Sequence, residues 1–419
     1  MIRTLTRWGW LPLLAIPAIL LFAISLQVMG QVRVYDWWGL KVHAPDFEDA
    51  RSITSAIEYA REGHDPGESN PRDPWGRPFN YPRIWLALGQ LGLNQSHTAG
   101  FSIFLSISLY IGFLMFPGSR AGWFPSACIL LVMFSPAVMM GVKAGNIDQF
   151  MFFLVAMGIL GISQSGRVAQ AAGVIAMLAG FVLKIFPVFG LGAILGLGRR
   201  HCLWLGPLLV LVAGIHGWTQ LEELQRMKNT TPVGIAASYG RDVTALRVAA
   251  ELPQLANAAR IGTIAGTVMG FALLAFGALS RGREDHAESF DARSMTAFRA
   301  GAMIYCGTFL LGSNWDYRLM FLAFPLPLLV AICRHPSRSM KWSAILATAS
   351  LLASCWSIAI WGLLRGIPYG SQASVAIDEA SNWIVFLGLM FLIGRTLPAW
   401  IPAPWANPKT CGQGSAEFA

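Results

Sequence analysis

The chain has 419 residues, 55% of them hydrophobic and only 13% charged, with a formal net charge of +9. A soluble globular domain carries about 25% charged residues, so water-soluble enzymes and binding modules are excluded. The positive excess is read as membrane orientation, not as a nucleic-acid surface. Cys128, Cys202, Cys306, Cys333, Cys355 and Cys411 include no CxxC pair, so neither a disulfide framework nor a zinc site follows from them.

Taken in chain order, "GWLPLLAIPAILLFAISLQVMG" (9–30) follows Arg3 and Arg7. It is long for a signal peptide and lacks a small-residue cleavage site, so it reads as an uncleaved first helix. Further apolar runs cover 98–117, 121–142, 147–164, 168–183, 185–198, 202–219, 258–280, 299–313, 319–333, 342–362 and 383–396. The expectation is an all-α polytopic membrane protein with about twelve spans (a range of about ten to thirteen), several of them short against the roughly 20 residues a span needs. The run 168–198 is too long for one span and carries Lys184 and Pro187 near its middle, so it is read as a hairpin. "YPRIWLALGQLGL" (81–93) is too short to cross and reads as re-entrant or interfacial.

With the N-terminus inside, Arg120, Arg167, the pair 199–200, the loop 281–299 and the loop 334–341 fall in the cytoplasm, as the positive-inside rule asks. Residues 1–396 then form a single integral membrane domain with large external loops at 31–97 and 220–257, and 397–419 is a disordered cytoplasmic tail. Lys143, Lys184 and Arg318 break the rule. Each is a cation in a very short external loop, and each stands in an unusual polar motif.

In the first loop, "DFEDARSITSAIEYAREG" puts Phe47, Ala50, Ile53, Ile57 and Ala60 on one helical face. That pattern predicts an amphipathic helix lying on the outer leaflet. Asp46, after Pro45, reads as a helix N-cap with Asp49 three residues on, or as a general base able to take a proton from a sugar hydroxyl. Asp49 and Asp36 compete for the second role, while Glu48 projects towards solvent. "KAGNIDQF" (143–150) is either a polar turn or a set of sugar contacts from Asn146, Asp148 and Gln149. In "LKIFPVF" (183–189), Lys184 either snorkels or neutralises a phosphate. In "GSNWDYRLM" (312–320), Asp316 pairs with Arg318, or Arg318 clamps a phosphate beside an Asp316 substrate contact. "NYPRIW" supplies Tyr81 as a substrate contact and Arg83 as a second phosphate candidate; "SYGRD" (238–242) supplies Tyr239 and Arg241. His43, His64 and His97 lack metal-ligand spacing and no Asp-x-Asp occurs, so no metal or other cofactor is expected.

The order "PDFEDARSITSAIEYAREGHDP", "NPRDPWGRPFNYPRIW", "GNIDQ", "LKIFP" and "NWDYRL" resembles the GT-C class of integral membrane glycosyltransferases. More narrowly it resembles the polyprenol-phosphate-mannose-dependent α-mannosyltransferases and their bacterial relatives. The resemblance implies Asp46 as the catalytic base, a polyprenyl-phosphate sugar as donor, and a lipid or glycan as acceptor, with membrane lipids around it and no nucleic acid. It implies an inverting transfer at the periplasmic face of a bacterial inner membrane. "HDPGESN" places Gly67 where family members often carry a tyrosine, which weakens any inference about the sugar. A polysaccharide polymerase or ligase is the nearer alternative. A lipid-linked-sugar transporter or flippase is the other, but transporters bury ionisable groups near the midplane and often show inverted repeats, and here the polar motifs gather on one side.

Overall fold

The computed structural model describes residues 9–116, 122–281 and 290–401. Arg120, residues 282–289 of the 281–299 loop, Cys411 and the tail from 402 onward lie outside the described residues.

The chain is a helical assembly. The first apolar run forms α1 (Trp10–Met29), and Gly30, at φ 77°, turns the chain into the short α2 (Gln31–Asp36). The first loop carries α3 (Glu48–Arg61) and a 3-10 segment, Arg83–Leu91. Then come α4 (Thr98–Met115), α5 (Trp123–Met133), α6 (Pro136–Ala144), α7 (Asp148–Ile162) and α8 (Arg167–Leu183). A 3-10 segment, Phe186–Leu197, leads to α9 (Arg199–Thr219) and α10 (Leu221–Thr230). After β1 (Ser238–Tyr239), α11 (Val243–Glu251), α12 (Ala256–Leu279) and α13 (Ala292–Leu310), β2 (Asn314–Trp315) opens a 3-10 segment, Asp316–Ala323. The chain closes with α14 (Leu326–Ile332), α15 (Arg338–Cys355), α16 (Ser357–Leu364) and α17 (Gly370–Arg395).

All twelve expected apolar runs carry helix or 3-10 structure, but fewer qualify as spans. Among the described residues 5 helices are long and apolar enough to cross a membrane, or up to 7 if each bent pair is one span. The bends have local causes. Ser135 caps α6 by accepting from Val138 N, and Pro136 has no N–H to continue the α5 ladder, so α5 and α6 meet at 47°. The long run 168–198 divides where α8 ends at Lys184, whose backbone is extended, and the following 3-10 segment packs back on α8. Glycines let helices approach closely: a Cβ on Gly161 would lie 2.5 Å from Ala169 O, and one on Gly394 2.2 Å from Leu274 O. The core is aromatic, with Phe152 stacked on Phe324 at 4.4 Å between α7 and the segment before α14. By contrast α9 and α12 bury little of themselves, with Trp204, Val210, Trp218 and Val268 facing outward, as lipid-facing helices do.

The first loop is packed against the rest of the chain. Residues 52–57 of α3 are buried without interruption, while 61–62 stay exposed. The return segment covers its outer side: Thr54 Oγ1 meets Thr98 Oγ1 at 2.7 Å, Asn70 Nδ2 donates to Ser55 Oγ at 3.0 Å, and Gly89 packs over Ile57. Thr54 and Ser55 are thereby buried with partners, as buried polar groups require. The loop 220–257 is also tied down, since β1 pairs antiparallel with β2, Ser238 opposite Trp315 and Tyr239 opposite Asn314. That two-residue ribbon is the exception to an all-α description among the described residues.

Candidate functional site

The turn between α6 and α7 is the centre of the polar cluster. Gly145 ends α6 in the left-handed region at φ 63°, and Asn146 N–H donates to Gly141 O at 3.0 Å. The Asn146 side chain then works in two directions. Its Oδ1 accepts from the backbone N–H of Asp148 at 2.8 Å, and its Nδ2 donates to Asp49 Oδ2 at 2.6 Å. One amide therefore joins the start of α7 to the first-loop acids.

Asp148 is fully buried and gathers two cations. Lys184 Nζ lies 2.5 Å from Oδ1, and Arg318 Nε lies 3.1 Å from Oδ2. Lys184 is held in place by the chain break after α8 and by the Tyr81 ring, 5.1 Å away. Arg318 sits 5.0 Å over Phe186 and donates to Asn314 Oδ1. Two cations thus share the Asp148 carboxylate, and Asp49 also acts electrostatically on Lys184. Burying charge is costly unless it is paired, and clusters of this kind are over-represented at functional sites.

The acids of "APDFED" have separate environments. Asp46 is not the helix cap: Phe47 occupies that position with φ 61°, and no side chain caps α3. Its Oδ2 takes a hydrogen bond from Gln31 Nε2, and Arg51 Nε donates only to its backbone oxygen. Glu48 does not project to solvent but pairs with Lys143 Nζ at 2.6 Å. The Lys143 ammonium, in the last turn of α6, also donates to Lys41 O at 3.1 Å. Asp49 has Arg77 Nη1 at 3.6 Å besides its bond from Asn146. Burial pushes the Asp49 carboxyl above its ordinary range, against the downward pull of Asn146 and Arg77. Asp46 is thus the one acid of the stretch without an ion pair among the described residues.

The remaining candidates divide. Gln149 Nε2 donates to the backbone oxygens of Gly141 and Asn146, a bracing role. Tyr239 is buried, stacked on Tyr305 at 5.3 Å, with its hydroxyl 2.8 Å from Thr308 Oγ1. Arg241 pairs with its neighbour Asp242, and Asp36 is exposed at the end of α2. Arg83 stands apart from Lys184 and Arg318. It is half-exposed, pairs with Asp65, and its backbone N–H donates to Glu223 Oε1 at 2.5 Å. Asp316 is buried and does not pair with Arg318. Arg318 reaches across to Asp148 because the 3-10 segment after β2 points the two side chains apart.

Residues that motif reading passed over complete the cluster. Arg77 donates bidentately to Asp73, with contacts at 2.9 Å and 3.2 Å, and to Glu48 O at 2.5 Å, so it pins the return loop to the start of α3. The signal for it was present as an Asp73–Arg77 spacing of four within "RDPWGRP". Phe186 and Gln31 gave no sequence signal, since an apolar residue beside proline and a glutamine after a span are ordinary.

No family model and no curated protein matches the sequence. A crystal structure of ArnT from Cupriavidus metallidurans in the apo state aligns with 91% of this chain and 78% of its own, at 14% sequence identity and a TM-score of 0.36. A superposition that loose does not establish a common fold.

Proposed function

We propose that this protein is an integral membrane glycosyltransferase of the GT-C kind. It moves a sugar from a polyprenyl-phosphate donor to a lipid or glycan acceptor at the extracytoplasmic face of a bacterial inner membrane. The observation that carries the reading is the meeting of Lys184 and Arg318 at Asp148, joined through Asn146 to Asp49 of the first loop. Residues from four distant stretches thus supply a cationic seat beside carboxylates. A phosphate leaving group needs such a seat, because negative charge develops on it as the glycosidic bond breaks.

Asp46 is the general base in this mechanism. A base needs a carboxylate edge that substrate can reach, and the other acids of the stretch are committed to Lys143 or Arg77. Gln31 orients Asp46 without neutralising it. The acceptor hydroxyl gives its proton to Asp46 while its oxygen attacks the anomeric carbon. The bond from that carbon to the phosphate oxygen breaks, and its electron pair stays on the polyprenyl phosphate, facing Lys184 and Arg318. One displacement inverts the anomeric configuration. Tyr81 lines the approach to Lys184, and the Arg83–Asp65 pair lies outside this centre.

Membranes containing or lacking the protein, incubated with a panel of polyprenyl-phosphate sugars including the mannose derivative, test the reading. Transfer from one donor, with inversion at the anomeric carbon, is expected. No transfer from any lipid-phosphate sugar, together with activity on a nucleotide sugar, would overturn it.

A further inference from the structure

A second charged cluster gathers around Arg247 of α11, beside β1. Arg247 of α11 directs Nη1 at Asp378 Oδ2 and Glu379 Oε1, both at 2.8 Å, while its Nε and Nη2 serve the backbone oxygens of Ile235 and Ser238. The Asp378 carboxyl also receives Asn382 Nδ2 at 3.1 Å, and Glu379 accepts from Thr244. The guanidinium is thereby saturated by two acids. A third acid, Asp316, is only 1% exposed and interacts electrostatically with Asp378, Glu379 and Arg247, yet neither of its carboxylate oxygens has a hydrogen-bond partner. Three carboxylates therefore share one cation, and the odd one is buried with both oxygens vacant.

The geometry points to a binding site for a primary ammonium group, with Asp316 as its direct acceptor and Asp378 and Glu379 supplying the surrounding negative field. A buried unpaired carboxylate is among the costliest features a fold can hold, and a cationic ligand removes that cost. A metal ion fits less well. Among the described residues no group of three or more His, Cys, Asp or Glu side chains is arranged to hold one, whereas an ammonium needs only one vacant carboxylate and a negative surround. The alternative answer to the same burial is a carboxyl that keeps its proton. Burial and Asp378 do push Asp316 well above the ordinary carboxylate range. Asp316→Asn separates these cases, because an amide imitates the protonated acid and cannot replace the ionised one. The site stands independently of the transferase reading.

The test is binding of ethanolamine to the purified full-length protein, followed by thermal unfolding, with ethylene glycol as the uncharged counterpart. Ethanolamine should stabilise the protein saturably and ethylene glycol should not, and Asp316→Asn should weaken the ethanolamine effect at least about 30-fold. Should Asp316→Asn not fold, Glu379→Gln must weaken the effect in the same direction. Competition by glucosamine assigns the amine to a sugar; competition only by phosphatidylethanolamine bicelles assigns it to a lipid headgroup. Equal stabilisation by both probes, an undiminished effect in the folded variants, or stabilisation by magnesium chloride alone overturns the proposal.

Discussion

Asn146 donates its side-chain amide to Asp49 at 2.6 Å, across 97 positions of sequence. That bond, together with the one from Asp148 N–H to Asn146 Oδ1 at 2.8 Å, locks the loop 31–97 to the start of α7. In an apolar surround a bond to a charged group contributes about 1.5–3 kcal/mol. Asn146→Ala is therefore expected to lower stability by about that amount and to loosen the link between Asp49 and the start of α7. Thermal unfolding and transfer rate, measured together, check both effects.

Replacing Asp46 tests the chemical step. Asp46→Asn should lower kcat about 100- to 10,000-fold and leave the unfolding temperature within a degree or so of wild type, because the residue has no ion pair to lose. Full activity in Asp46→Asn with loss in Asp49→Asn would transfer the role of base to Asp49.

The cations should divide by readout. Lys184→Ala and Arg318→Ala should each raise the KM for the polyprenyl-phosphate donor and lower kcat. Asp148→Asn should instead cost about 3–5 kcal/mol of stability, as breaking a buried ion cluster does, because it leaves Lys184 and Arg318 facing each other without their shared anion. Unfolding of Asp148→Asn at the wild-type temperature would show that the cluster is hydrated and not buried.

The Asp49 carboxyl has a defined sign in pH dependence. Its pKa is raised in the folded state, so the protonated form is favoured there, and this contribution to stability is present below the ordinary carboxylate pKa and lost as pH rises through the folded value. Asp49→Asn should accordingly stabilise the protein at neutral pH relative to wild type, with the advantage shrinking as the pH is lowered. Denaturation midpoints at several pH values measure it.

Gly145 is the position where backbone and packing coincide. A side chain there would adopt φ 63° and place its Cβ 2.5 Å from Ser102 Oγ and 2.9 Å from Ala50 Cβ. Gly145→Ala is expected to cost at least about 1–2 kcal/mol from the left-handed backbone alone. It should also reduce transfer by pushing α3 away from the turn, seen as a lower unfolding midpoint and lower kcat.

What could be read from the sequence was mostly one-dimensional. Apolar runs located the helices, and cations in the wrong loops marked Lys143, Lys184 and Arg318 as unusual. The number of true spans was not legible, because breaks at Ser135, Lys184 and Trp356 depend on how each piece packs. Nor was the burial of α3 legible, because the partners of Thr54 and Ser55, Thr98 and Asn70, lie far from them in sequence. The partner of each acid was invisible, since Glu48 meets Lys143 and Asp49 meets Asn146 only through the close approach at Gly145. Spacing could not tell that Asp316 and Arg318, two positions apart, serve different clusters.

Asp148 also bears on how the proposed donor would bind. Because its two oxygens engage Lys184 and Arg318, the protein carries its own counter-ion there, and under the proposed function a donor phosphate must compete with a tethered rival for the same donors. Such an exchange keeps donor affinity moderate and lets the spent lipid phosphate depart without stranding bare charge. Turnover, more than retention, is what that arrangement favours.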